Sequence, residues 1–122
     1  MSTVNTLKIA ITSEGPALTD RVDPRFGRAG GFLVVELDTM ATSYVDNGAA
    51  QILAQGAGIQ AAEHLVNAGA QVLLTGHVGP KAFAALRTVG VKMIQGLDNM
   101  TVQEAVMLFQ TGTLVGSDAP SH

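Results

Sequence analysis

The sequence predicts an α/β protein built on one mixed five-stranded sheet, in strand order 3-2-1-4-5 with strand 2 antiparallel and helices on both faces. Three observations carry that expectation. Strand-like apolar runs fill the first 46 residues without a helical stripe between them. Helical stripes and short β-rich runs then alternate to residue 112. The expected helices each stop at a glycine, Gly69, Gly90 and Gly112.

Leu7–Thr12 reads as the first strand, with Leu7, Ile9 and Ile11 on one side and the small Ala10 on the other, so both faces suit coverage. Ser13–Gly31 lacks periodicity but holds Gly15, Pro16, Pro24, Gly27, Gly30 and Gly31 with Arg21, Arg25 and Arg28. A loop that long is functional or disordered. With little apolar content beyond Phe26, it is expected at the low-stability end of the domain. Phe32–Asp38 is a second strand, and Thr42–Asp46 a weaker third that ends at the turn signal Asn47-Gly48.

Ala57–Ala68 is then helical, with Ile59, Ala62, Leu65 and Val66 expected as its buried stripe. Val72–Thr75 is a fourth strand, Lys81–Val89 a helix that buries Ala82, Phe83 and Leu86, and Val91–Ile94 a fifth strand. Thr101-Val102-Gln103-Glu104 has the capping-box pattern, in which the threonine and glutamate side chains satisfy each other's orphan backbone N–H groups. It opens a helix with Val102, Ala105, Val106 and Phe109 on one face. Right-handed crossovers bring strands 4 and 5 parallel to strand 1. The carboxyl ends of these three strands then share one rim.

At 122 residues and 47% hydrophobic content the chain makes one domain, 1–122, with a real core and a flexible tail over 113–122. It has no cysteine, which excludes disulfides and any cysteine-ligated iron–sulfur cluster. A net charge of −3 and a single tyrosine argue against nucleic-acid binding. Met1–Thr6 lacks a signal pattern, and no apolar run approaches the roughly 18 residues of a membrane span, so a cytoplasmic protein without a membrane partner is expected.

The stretch Val72–Ala82 carries the first functional signal. A strand stops at Thr75-Gly76-His77-Val78-Gly79-Pro80-Lys81 and resumes as a helix, aiming unpaired backbone N–H groups and a partial positive charge at the rim. An anion suits that position. In the plainer alternative Gly76 and Gly79 serve backbone geometry alone. Thr12-Ser13 and the arginine-bearing loop reach the same rim, so three separated segments converge there.

Three motifs carry a resemblance: Val22-Asp23-Pro24-Arg25-Phe26-Gly27-Arg28-Ala29, Gly56-Ala57-Gly58-Ile59-Gln60-Ala61-Ala62, and Thr75-Gly76-His77-Val78-Gly79-Pro80-Lys81-Ala82-Phe83. Together, in this order and over nearly the whole chain, they resemble the dinitrogenase iron–molybdenum cofactor biosynthesis family, and within it most the orange-protein branch of sulfate-reducing bacteria. The resemblance implies a ribonuclease-H-like three-layer α/β/α fold. It implies a non-enzymatic carrier of an anionic molybdenum–copper sulfide cluster held without covalent ligands. The shared rim and these motifs together select Thr12, Ser13, Arg25, Phe26, Gly27, Arg28, Thr75, Gly76, His77, Val78, Gly79 and Lys81 as the expected cluster-binding residues, with His77 as the one candidate metal ligand. Carriers of the nitrogenase branch commonly have histidine before Phe-Gly, where this chain has Arg25. Arginine cannot ligate a metal but offers a planar fork of donors to an anion. The plainer alternative makes Arg25 and Arg28 solvated charges paired with Asp20 or Asp23.

Other chemistries fit less well. Gly56-Ala57-Gly58-Ile59-Gln60-Ala61 matches a loose dinucleotide-loop pattern, but no strong strand precedes it and no acidic residue ends the strand after its helix. Its glycines are expected to permit close helix packing or add N–H donors to the rim. Two-metal nuclease chemistry needs carboxylates beginning on the first strand, and Leu7–Thr12 has none. No cysteine, G-x-S-x-G elbow or serine–histidine pairing supports nucleophilic catalysis. His64 reads as a surface or boundary residue, and the methionines as packing filler. A second function stays open, a regulatory or adaptor domain without metal; the resemblance implies P-loop ATPases of the cell-division type as its partners.

Overall fold

The computed structural model describes residues 7–48, 56–112, 114 and 116. In chain order its elements are β1 (Lys8–Ser13), β2 (Gly31–Glu36), β3 (Ala41–Asp46), α1 (Ala57–Asn67), β4 (Val72–Leu74), α2 (Pro80–Thr88), β5 (Lys92–Ile94) and α3 (Val102–Gln110). They form one sheet of order β3-β2-β1-β4-β5, with β2 antiparallel to β1 and β3, and β4 and β5 parallel to β1. This is the order expected from the sequence. Ser13 pairs with Gly31, which pairs with Asp46, so all five strands have an end at the rim beyond Ser13, Leu74 and Ile94.

Side-chain alternation sorts the core into two layers. Ala10, Phe32, Val34, Leu73 and Met93 face one way and pack under Ala61, Ala62 and Leu65 of α1 and Ala82, Phe83 and Leu86 of α2. Ile9, Ile11, Leu33, Val35, Val72, Leu74 and Ile94 face the other way, against Val102, Ala105 and Val106 of α3. The three-layer arrangement follows from strands that are apolar on both sides. The capping box forms: the Thr101 hydroxyl accepts from Glu104 N–H at 3.2 Å, and Glu104 Oε1 from Thr101 N–H at 2.8 Å. Gly69, Gly90 and Gly112 take φ of 81°, 82° and 76°, the left-handed exit their positions after the helices call for.

Two expectations are corrected. In α1 the buried residues are Ala57, Ala61, Ala62 and Leu65, while Ile59 and Val66 remain 38% and 42% exposed. The i, i+4 row of small residues faces inward because it lets the helix lie close to α2 and the sheet. The Ser13–Gly31 loop is docked rather than loosely held. Val22, Phe26 and Ala29 are buried, and Phe26 stacks on Phe32 with ring centroids 5.5 Å apart. Its backbone is tied to three other segments: Val22 N–H donates to Met100 O at 2.9 Å, Asp23 N–H to Thr12 O at 2.9 Å and Phe26 N–H to His77 O at 3.2 Å. Single bridges of this kind have no periodic sequence signature. Met93 is buried as filler, but Met40 and Met107 are exposed. The expected tail 113–122 lies outside the described residues except for Leu114, which packs on the α3 side, and Gly116. No helix among the described residues is long and apolar enough to cross a membrane.

Candidate functional site

Two helices begin beside each other at the rim. α1 starts at Gly56 and α2 at Gly79, and among the described residues neither has a side-chain cap. The first backbone bonds back into each helix come from Gln60 N–H to Gly56 O and Phe83 N–H to Gly79 O, both 2.9 Å. The preceding amides of Ala57, Gly58 and Ile59, and of Lys81 and Ala82, are therefore the orphan donors of two helix starts; Pro80 has none to give. Gly56–Gly58, Gly79–Ala82, Gly27 and Arg28 line one groove of about 440 Å³.

Glycine makes this juxtaposition possible. A Cβ on Gly58 would stand 2.9 Å from Ala82 Cβ, and one on Gly27 would stand 3.0 Å from Gly58 N and Cα. The turn thus packs backbone to backbone on the start of α1, and the start of α1 packs against the Ala82 methyl of α2. Their two helix dipoles together amount to roughly one positive charge at the groove, beside the Lys81 and Arg28 side chains. Toward β3 the rim is acidic instead. Burial raises the Tyr44 hydroxyl pKa above 10.0, and Asp46, Asp20 and Asp23 push it the same way. The helix starts thus carry positive potential and the β3 side negative potential.

Of the residues predicted for the site, Gly27, Arg28, Gly79 and Lys81 line the groove. Arg25 and His77 lie side by side on bridged backbone: His77 N–H donates to Pro24 O at 2.9 Å, and its carbonyl accepts from Phe26. Gly76 is glycine because a Cβ there would stand 2.4 Å from Pro24 O. Phe26 and Val78 belong to the core.

Thr12, Ser13 and Thr75 are fully buried beneath the rim. Thr12 donates its hydroxyl to Asp23 O at 2.8 Å, so the 2.8 Å contact between Thr12 and Thr75 uses the Thr75 proton. Ser13 donates to Gly15 O. All three hydroxyl protons are used within the protein.

The expected donor turn is altered in the same way. Thr75 N–H donates to Ile94 O at 3.1 Å and Val78 N–H to Gln95 Oε1 at 2.7 Å. With His77 N–H also engaged, the Thr75–Gly79 segment offers few donors, and the helix starts offer them instead. Gly56, Ala57, Gly58, Pro80 and Ala82 are the lining residues that sequence reasoning did not select. For Gly56–Gly58 the sequence signal is the Gly-x-Gly at a helix start, and the structure shows its packing role at Gly58; Pro80 and Ala82 lie within the third motif.

Among the described residues no group of three histidine, aspartate or glutamate side chains is placed to hold a metal ion. The groups that line the groove are helix-start amides and the cationic Lys81 and Arg28.

The dinitrogenase iron–molybdenum cofactor family model matches residues 5–112. The chain belongs to that family. It is similar to the apo form of the orange protein from Desulfovibrio gigas, 52% identical, with 98% of this chain and 100% of that one covered and a TM-score of 0.94. A Thermotoga protein solved by NMR is 33% identical over 90% of this chain and 92% of its own, with a TM-score of 0.79. An uncharacterised Methanocaldococcus jannaschii protein is 26% identical over 91% of this chain and 92% of its own length. In this member of the cofactor family, the groove draws a wall from each of the three motifs that carry the resemblance. The first motif gives the Gly27-Arg28 turn, the second the start of α1, and the third the start of α2.

Proposed function

We propose that this protein is a non-enzymatic carrier that holds an anionic metal–sulfur cluster, of the molybdenum–copper sulfide type, without covalent ligands. The observation that carries the reading is the opening of two uncapped helix starts onto one groove, with Lys81 and Arg28 beside them. Membership of the cofactor family and the likeness to the Desulfovibrio gigas orange protein support the cargo class.

In this reading the amides of Ala57, Gly58, Ile59, Lys81 and Ala82 donate to sulfide or oxide ligands at the cluster surface. Their directions are fixed by helical bonding, so holding the cargo orders no further backbone. Gly27 and Gly79 keep the approach free of side chains. Lys81 and Arg28 supply charge, while Arg25 and His77, bridged to each other through the backbone, lie outside the groove lining. Thr12, Ser13 and Thr75 act one layer down, holding strand ends and loop in place.

Titration of apo protein with tetrathiomolybdate and copper(I) tests this. The expected result is saturable uptake near one-to-one, with visible charge-transfer bands that persist through gel filtration. Absence of saturable colour with correctly folded protein would overturn the carrier reading.

A further inference from the structure

His64 is two helical turns beyond Ala57 on α1, away from the groove, yet it sits in a fully specified hydrogen-bond chain. Asn47, at the end of β3, is completely buried. Its N–H donates to Gly30 O and its Nδ2 to Ala29 O, both at 2.9 Å. That orientation leaves Oδ1 to face His64 Nδ1, at 2.7 Å, so the imidazole must donate through Nδ1. On its far side His64 Nε2 is 3.3 Å from Gln60 Nε2, an amide that can only donate there. With its proton on Nδ1, His64 donates to Asn47 Oδ1 and can accept from Gln60 Nε2.

We propose that His64 is a positioning residue for the anion groove. Through Asn47 it fixes the turn bearing Arg28 against α1; the inference rests on the carrier reading of that groove. The turn meets α1 at two places. At the groove, Gly27 packs against Gly58 by van der Waals contact alone. Farther along, the Ala29–Asn47–His64 chain ties the turn to the helix by directed bonds. Phe26 anchors the turn in the core, and the directed bonds add what packing alone does not, a fixed orientation of the turn along α1. The distance between Arg28 and the amides of Ala57 and Gly58 is then set by a histidine that touches no cargo.

The test compares His64→Phe, which keeps a ring but removes the donor, with His64→Asn, whose side-chain NH2 stands near the place of Nδ1. With tetrathiomolybdate and copper(I) as the probe, His64→Phe is expected to weaken uptake by about tenfold or more, the scale of outer-layer losses at metal sites. His64→Asn is expected to restore most of it. Nitrogen-15 spectra of the wild type should show His64 as the Nδ1–H tautomer. Unchanged uptake in His64→Phe, no recovery in His64→Asn, or an Nε2–H tautomer overturns the proposal.

If the wild type takes up no probe, the carrier reading fails by itself, and amide spectra still decide the tie. His64→Phe should shift the Arg28 and Gly58 amides together, and His64→Asn should return them. Amides left in place by His64→Phe would sink the tie as well.

Discussion

Replacing Gly79 by aspartate should stabilise the fold and weaken anion binding at once. Gly79 caps α2 with φ −72° and ψ 167°, the extended geometry of an ordinary N-cap residue, and no side chain caps the helix. A Cβ there meets nothing within 4 Å, so a side chain enters without steric cost. The aspartate carboxylate can accept from the first-turn amides. Capping beyond glycine adds a few tenths of a kcal/mol, the helix dipole about 0.3–1, and the reduced freedom of the unfolded chain about 0.4–1. The sum is about 1–2 kcal/mol, or a rise of about 0.5–1 M in the urea midpoint for a domain of this size.

The same carboxylate takes up amides assigned to the anion and puts a negative charge beside it. Even in a well-screened groove, repulsion at contact distance is worth about 1.4 kcal/mol or more, which is tenfold in affinity. Urea unfolding and cluster titration of wild type, Gly79→Ala and Gly79→Asp separate the effects, because alanine fills the same space without a cap or a charge. An aspartate variant less stable than the alanine variant, or one that binds like wild type, would refute this account of the groove.

Gly76→Ala should be destabilising by about 2–4 kcal/mol in urea unfolding, since its Cβ would press on Pro24 backbone and part the two hydrogen bonds between His77 and the 24–26 segment. Glu104 accepts from Thr101 N–H, which holds its pKa below the ordinary 4.5. With the folded value lowered, that stabilisation is present above about pH 4.5 and is lost as pH falls through the folded pKa; Glu104→Gln should flatten this limb of an acid titration. Arg28→Ala should weaken cluster binding by about 1–3 kcal/mol without changing circular dichroism, and Arg25→Ala, outside the groove lining, should do less; the reverse order would move the site toward His77. Hydrogen exchange of apo protein should protect Val22 and Asp23 about as well as β1, because their amides donate to Met100 and Thr12; fast exchange there would restore the picture of a loose loop.

The fold was legible because its signals are local. Leu7–Thr12, Val72–Leu74 and the capping box at Thr101 each announce an element within six residues, and strand order follows from handed crossovers. The facing of α1 was less legible. Ile59 and Val66 outweigh alanine on any hydrophobic scale, but the Ala57–Ala61–Leu65 row permits the closer packing, and Gly58 against Ala82 fixes the rotation. At the rim, convergence of the three segments could be read, whereas the donors could not. Whether Val78 N–H faces a ligand or Gln95 is decided by how the β5 exit lies on the β4 exit, a long-range register with no local trace. The Asn47–His64 bond joins residues of separate elements, and Asn47 beside Gly48 reads in sequence as a turn.

The packing of the core and the making of the groove are one structural event. α1 and α2 share a sheet face, and their starts touch because Gly58 lets Ala82 in. Once they touch, five orphan amides must share one patch of solvent, and the Gly27-Arg28 turn closes its third side. A side-chain cap on either helix would relieve those amides, and neither helix has one. Among the described residues the fold thus leaves first-turn amides of α2 without a side-chain cap at a position where one is sterically free. Under the carrier reading, glycine at position 79 keeps that opening for an anion, whereas a purely structural helix start of this geometry would be better served by serine or aspartate; the Gly79→Asp comparison decides between the two.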